Sequence, residues 1–320
     1  MKKTILALLV SAAAVSGYAK DCCAAKNSPV GNWGMKLPYS SMNAGHMIIS
    51  SGADGKHSAL VLWRWASPSK AQACKVSGSS FRVKLSNGLV LKGKVSGDKF
   101  SAKAYNKKGV LEGEVSGWRN PPADGSVSVK DAKFGEPVDL LADGLDGWET
   151  MNPSGKFGWS FKDGVLSNSL GLKPDGTWAG GGANLRTKRG DFKDFRLEYD
   201  VRVPKNSNSG VYLRGRYEIQ VVDSYGKKPD CHAMAALYGR ITPSVAAEKP
   251  AGEWQHVSVI FYKHRLTVVL NGKTIIDDKP VEGVTGGAMD ADENASGPIY
   301  LQGDHSDADF KNIKLYPAVD

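Results

Sequence analysis

Residues 211–223 read VYLRGRYEIQVVD, with Val211, Leu213, Tyr217, Ile219 and Val221 at odd positions and Tyr212, Arg214, Arg216, Glu218 and Gln220 at even ones. Period-two alternation is the signature of extended chain with one buried face. The stretch therefore predicts a strand whose odd side packs into a core. Its even side carries two guanidiniums, a carboxylate and an amide, where an ordinary wet strand carries Thr, Ser and Lys. Guanidinium forks and amides are costly to order and suit the reading of hydroxyls and carbonyls. Same-face neighbours on a strand lie about 6.5–7 Å apart. Arg214, Glu218 and Gln220 are thus expected to project together from a curved sheet and line a cleft.

The same alternation recurs on both sides. FRLEYDVRV (195–203) places Leu197, Tyr199, Val201 and Val203 on one face. HVSVIFY and RLTVVLNGKTIID read as a strand pair and a hairpin turning at Asn271-Gly272, a strong primed-turn signal. GPIYLQG and FKNIKLYP supply two more strands, and only 231–237 is arguable as helix. Many evenly spaced strands over 137–320 predict two packed sheets, a jelly-roll-like sandwich.

Upstream, LKGKVSG (91–97) and LEGEVSG (111–117) agree at five of seven positions and lie 20 residues apart, with KVSG (75–78) 19 residues before the second KVSG. Short strands closed by Ser-Gly predict an antiparallel meander, so 25–120 reads as a smaller all-β barrel or sandwich. Trp33, Trp63, Trp65 and Trp118 are expected to fill its core, the alternative being that they present a sugar-stacking surface. The Pro- and Gly-rich segment 121–136 reads as a linker. The fold class is therefore all-β, a small accessory domain followed by a sandwich.

The chain opens MKKTILALLVSAAAVSGYAK, a basic start, a short apolar run and a small-x-small site. Residues 1–19 read as a secretory signal peptide, and the mature chain is expected in the periplasm or outside the cell. No later apolar run would span a bilayer. The formal charge is +9, falling to +7 without the signal segment. The basic residues look scattered, and no nucleic-acid motif accompanies them. Cys22 and Cys23 are adjacent, so one of them is expected to pair with Cys74, leaving Cys231 free. The absence of CxxC excludes a zinc ribbon.

Polar residues gather downstream of the decisive stretch. Asp223 and His232 fall in VVDSYGKKPDCHA, Tyr238-Gly239 precede RITPSV, and LQGDHSDADF (301–310) places Gln302, Asp304 and His305 where a strand leaves for a loop. The succession DGWE (146–149), FKDGVL (161–166), LRTKRGDFKDFRLEYDVRVPKNSNSGVYLRGRYEIQVVDSYG (185–226), LYGRITPSV (237–245), KPAGEWQ (249–255), LNGK (270–273), GPIYLQGDHSD (297–307) and FKNIKL (310–315) resembles the 3-keto-disaccharide hydrolase domain family, concanavalin-like sandwiches. The resemblance spans 138–317 and leaves 25–125 uncovered. DCHAMAALYG departs from the family pattern, which puts His232 and Met234 at the pocket rim.

The resemblance implies cleavage of glycosides already oxidised at carbon 3. A carbonyl there acidifies the C2 proton, a modest base removes it, the enolate expels the C1 aglycone, and water adds back. Such a site needs a base, an enolate stabiliser and an acid for the leaving oxygen. The catalytic candidates are Glu218, His305 and Arg214. Arg214 would hold the enolate oxygen, and its charge together with that of Arg216 should keep Glu218 ionised. His305 titrates near neutrality and suits proton shuttling. Gln220, Gln302 and Tyr238 would fix hydroxyls, Trp178 would stack on a ring, and Arg216, Asp223 and Lys188 complete the substrate set. Trp254 is expected in the core. Glu218, Asp223, His232 and His305 could converge on one divalent ion, although their spacing matches no compact motif. The implied partners are a 3-keto-glycoside and an oxidoreductase that makes it. Two other classes stay open on sequence: a non-catalytic sugar-binding module and a two-carboxylate glycosidase.

Overall fold

The computed structural model describes residues 27–120 and 124–319. The expected signal peptide and the Cys22 or Cys23 pairing with Cys74 lie outside them. Among the described residues there is no α-helix, only two short 3-10 turns at Val129–Asp131 and Gly144–Gly147. No helix among them is long and apolar enough to cross a membrane.

Nine strands form the first sheet: β1 (Gly31–Lys36), β2 (Ala44–Ser51), β3 (His57–Trp63), β4 (Ser69–Lys70), β5 (Ala73–Ser77), β6 (Ser80–Lys84), β7 (Val90–Ser96), β8 (Lys99–Tyr105) and β9 (Leu111–Arg119). Their order is β4-β3-β2-β1-β9-β8-β7-β6-β5, and β3 comes back against β5, so the sheet curls toward a barrel. Inside it Trp33 meets Phe100 edge to face at 5.4 Å, and Phe81 meets Phe100 at 5.2 Å. Gly93 faces the Phe81 ring and Gly117 the Phe100 ring, and neither position has room for a Cβ. The repeated LxGxVSG units supply these gaps. Trp33 is core as expected, but Trp65 is 51% exposed. It sits in the β3–β4 loop, beyond the strand that would have turned it inward.

Fourteen further strands follow: β10 (Lys133–Phe134), β11 (Val138–Asp139), β12 (Trp148–Thr150), β13 (Trp159–Lys162), β14 (Val165–Asn168), β15 (Leu185–Thr187), β16 (Phe195–Arg202), β17 (Asn208–Leu213), β18 (Tyr217–Val222), β19 (Gln255–Tyr262), β20 (Arg265–Leu270), β21 (Lys273–Pro280), β22 (Tyr300–Leu301) and β23 (Ala308–Val319). One sheet runs β13-β14-β23-β16-β19-β20-β21, with β10 and β11 paired to β23. The other runs β12-β15-β22-β17-β18. The two face each other as a sandwich, and the Asn271-Gly272 turn joins β20 to β21 with both residues at positive φ. Residues 124–136 are no free tether: Ser128 donates to Asp278 at 2.7 Å, and β10 pairs with the end of β23.

The stretch that predicted one strand is a hairpin. Arg214 (φ 54°) and Gly215 (φ 67°) are both left-handed, as a primed turn requires, and the Arg216 N–H donates to the Leu213 carbonyl at 3.0 Å. Leu213 pairs with Tyr217, Tyr212 with Glu218 and Gly210 with Gln220. This register preserves parity across the turn. Val211, Leu213, Tyr217, Ile219 and Val221 are all buried in the sandwich core, where Tyr217 stacks on Phe261 at 4.8 Å. Residues 231–237 are not helical. Their backbone is spent on the edge of β18, with Gln220 N–H donating to Ala236 O and Ala235 N–H to Gln220 O.

Candidate active site

The outer face of the five-stranded sheet carries one polar row across all its strands. Register pairs Glu149 with Arg186, Arg186 with Tyr300, Tyr300 with Tyr212, and Tyr212 with Glu218. The rings of Tyr212 and Tyr300 stack at 4.0 Å with planes 13° apart. A second row joins Gln302, whose N–H donates to Gly210 O, with Gly210 and Gln220. Gly210 has no side chain, and the Glu218 carboxyl lies over it. A hollow of about 320 Å³ opens there, with Glu218, Gln220, Tyr238, Gln302 and His305 among its walls. Tyr212, Tyr300, Asn208 and Asp304 also line it. So does Trp65, carried on a loop of the amino-terminal sheet anchored where Gly287 N–H donates to Arg64 O at 2.8 Å.

Glu218 is 3% exposed and its carboxyl is pushed up to about 8. Burial is the main cause; the Asp304 charge adds to it and the Tyr212 hydrogen bond opposes it. The Tyr212 hydroxyl lies 2.8 Å from both Glu218 Oε2 and Gly286 O. A hydroxyl has one hydrogen and a carbonyl can only accept. With Tyr212 donating to Gly286 O, a protonated Glu218 donates to Tyr212 and both contacts are satisfied. The expectation that neighbouring arginines keep Glu218 ionised is therefore corrected, because neither guanidinium shares its face. Arg214, on the turn, donates to Glu293 O and lies over the rings of Tyr217 and Phe261. Arg216 forks onto Asp290 at 2.8 and 2.9 Å and also donates to the Arg214, Ala295 and Ser296 carbonyls. Both tie down the 290–296 loop rather than line the hollow.

His305 lies in the bend after β22, half exposed, with its Nδ1 2.6 Å from Asp304 Oδ1. A carboxylate accepts, so Nδ1 carries the hydrogen and Nε2 keeps a lone pair. The same bond raises His305 above its ordinary value. Asn208 Oδ1 and Gln302 Oε1 are buried with no protein partner. Unpaired buried acceptors on a hollow's wall are suited to receive donors from a ligand. Burial also pushes Tyr238 up, its ring has the His232 ring edge-on at 5.2 Å, and His232 Nε2 contacts Ser67 Oγ at 2.7 Å. His232 thus braces the rim, while Met234 is buried in the core.

Four predicted site residues fall outside the hollow besides Arg214. Arg216 is described above. Asp223 accepts from Asn206 N–H at the open end of the hairpin. Trp178 donates to Asn206 O, and Lys188 is exposed after β15, its N–H bonded to Gly147 O. Trp254 lies between Arg202 and Lys311 instead of in the core. The four expected metal donors do not converge, and no group of three or more His, Cys, Asp or Glu side chains is arranged to hold a metal among the described residues.

A β-sandwich face here gathers a buried carboxyl, a His–Asp pair, unpaired amide oxygens and aromatic walls around one hollow, and its family match makes the chain a carbohydrate-active, glycosidase-like protein. The chain belongs to the 3-keto-alpha-glucoside-1,2-lyase-like domain family, whose model it matches over residues 137–316. Solved structures similar to it include a "putative glycosyl hydrolase" from Parabacteroides distasonis ATCC 8503, 24% identical, covering 58% of this chain and 83% of that one with a TM-score of 0.43. A second from the same organism, also 24% identical, covers 57% of this chain and 98% of that one with a TM-score of 0.42. The carbohydrate-binding module CBM66 from Bacillus subtilis is 13% identical, covering 52% and 93% with a TM-score of 0.35. No curated protein matches the chain.

Proposed function

We propose that the protein cleaves glycosides whose sugar carries a carbonyl at C3, by elimination across C1–C2 followed by hydration. The observation that carries this reading is a buried carboxyl, pushed up to about 8, in the same hollow as a histidine whose Nδ1 is held by Asp304. His305 removes the C2 proton, with Asp304 stabilising the imidazolium. Charge passes to the C3 oxygen, toward which protonated Glu218 turns its one hydrogen away from Tyr212, the role a neutral carboxylic acid plays in an oxyanion hole. The C1–O bond breaks as the C1–C2 double bond forms, and Tyr238 donates toward the departing oxygen. Water then adds its hydroxyl to C1 and a proton returns to C2, so the sum is hydrolysis. Asn208 and Gln302 accept from sugar hydroxyls.

The substrate presupposes an oxidoreductase that installs the carbonyl. The leader-like amino terminus suits an exported enzyme acting on oxidised sugars outside the cytoplasm. The test is release of aglycone by the purified chain from a 3-keto-disaccharide and from its unoxidised parent. Turnover of the oxidised sugar alone is expected. Hydrolysis of the parent at equal rate, or binding without turnover, would overturn the proposal.

Trp65 stands at the mouth with Arg64 over its ring at 4.8 Å, in place to stack on the second ring of a disaccharide. Trp65→Ala is expected to raise KM for a 3-keto-disaccharide about tenfold, roughly 1.4 kcal/mol, and to change kcat little. Steady-state kinetics on a disaccharide and on a methyl 3-keto-glycoside would check this, since the methyl glycoside has no second ring to lose.

A further inference from the structure

The basic residues that look scattered in sequence meet on one face of the amino-terminal sheet. Register places Lys75 opposite Arg82, Arg82 opposite Lys92, and Lys92 opposite Lys103, with Glu114 after Lys103. Four cations thus follow one another across four adjacent strands, and all four are exposed. Neighbouring strands are about 4.8 Å apart, well inside the screening length of about 8 Å at physiological salt. Like charges directly opposite on paired strands are destabilising. The same chain balances such positions elsewhere: Glu149 faces Arg186, Arg202 faces Asp309 and Asp200 faces His256, each pair in contact. None of the four cations forms an ion pair among the described residues.

Beside this row runs a second, Ser77–Ser80–Lys94–Ser101–Ser116, also in direct register. Both rows line one open cleft of about 990 Å³ that holds six cations, Lys36 among them, against the single carboxylate of Glu114. We infer that this cleft is a second binding site, for an acidic polysaccharide bearing carboxylate or sulfate groups. The cation row matches a polymer with regularly repeated negative charge, and the hydroxyl row matches sugar hydroxyls between the charges.

Nucleic acid fits less well. Single strands are held by aromatic platforms under the bases, whereas here Phe81 is buried, Tyr39 lies beneath the Arg64 guanidinium at 4.2 Å and Tyr105 beneath the Lys92 ammonium at 4.8 Å. That Tyr39 contact also joins the two sites. Tyr39 lines the cleft, Arg64 spans to Trp65, and Trp65 walls the hollow. A glycan chain held on the sheet would lie beside the mouth of the catalytic hollow.

The test uses the full chain with heparin and with polygalacturonate, against neutral dextran, a poly-dT oligonucleotide and phosphatidylserine vesicles. Binding to at least one acidic glycan is expected, weakening steeply with salt and at least tenfold weaker in Arg82→Glu/Lys92→Glu. Turnover of a 3-keto-glycoside, where present in the unaltered chain, should be the same in that variant. Preference for heparin assigns sulfate as the recognised group, and preference for polygalacturonate assigns carboxylate. If the reversed pair does not fold, Lys92→Gln/Lys103→Gln is read the same way with a smaller loss. No binding at low salt, equal binding by the variants, or tighter binding of poly-dT or vesicles would overturn the inference. Because binding is read without catalysis, its failure is separate from failure of the proposed reaction.

Discussion

Glu218→Ala is expected to lower turnover of a 3-keto-glycoside by about 10²–10³-fold, the cost of removing one donor to a developing oxyanion. Glu218→Gln should lose far less, because its amide N–H can still donate. It should also lose the alkaline limb of the pH profile. In the wild type, activity is expected to fall as pH rises through about 8, where burial has placed the Glu218 carboxyl. A stability effect of the same origin accompanies this. A carboxyl raised by folding contributes stability that is fully present below its unfolded value, about 4.3, and is lost as pH rises through the folded one. The Gln variant is therefore expected to melt at a higher temperature than the wild type at pH 9, with the difference shrinking toward pH 5. Steady-state rates and thermal melts over that range check both. A folded Gln variant as inactive as the Ala variant would make Glu218 the base instead of the donor.

His305→Ala is expected to reduce turnover by about 10²–10⁴-fold, the usual contribution of a positioned general base. Wild-type activity should fall toward acid as His305 takes up a proton. The Asp304 hydrogen bond holds that transition above the ordinary imidazole value. Asp304→Asn removes the carboxylate, so the acid limb should move to lower pH while the alkaline limb, set by Glu218, stays or shifts slightly downward with the lost charge. The split of the two limbs, read from kcat/KM against pH, separates a catalytic His–Asp pair from a merely structural one. A His305→Ala enzyme with wild-type turnover would remove His305 from the mechanism.

The all-β architecture was legible because the core faces repeat every second residue, from Phe195 through Val201 as from Val211 through Val221. Site residues on that period, Glu218 and Gln220, were legible for the same reason. The turn at Arg214-Gly215 was not, because a three-residue connection conserves odd–even parity and leaves no break in the alternation. Reading through it placed Arg214 on the sugar-facing side and, with it, an ionised Glu218. Tyr212 was on the legible even face and could have been taken with Glu218, its register partner. Asn208 opens the strand of Tyr212 on the same even face and was legible with it, whereas Tyr300 comes from β22, whose neighbours sequence does not reveal, and Trp65 arrives on a loop of the amino-terminal sheet. Metal donors drawn from β18, the connection after it and the bend after β22 had the right chemistry, but distance along the chain said nothing about their separation in space.

The central claim, that a buried face built by the 208–222 hairpin cleaves oxidised sugars through their C2 proton, is tested most directly by running the reaction in D2O. The released 3-keto sugar should carry one deuterium at C2, seen by NMR, in step with aglycone release. Aglycone release with only protium at C2 would show that the glycosidic bond breaks without that proton being removed, and would contradict the account.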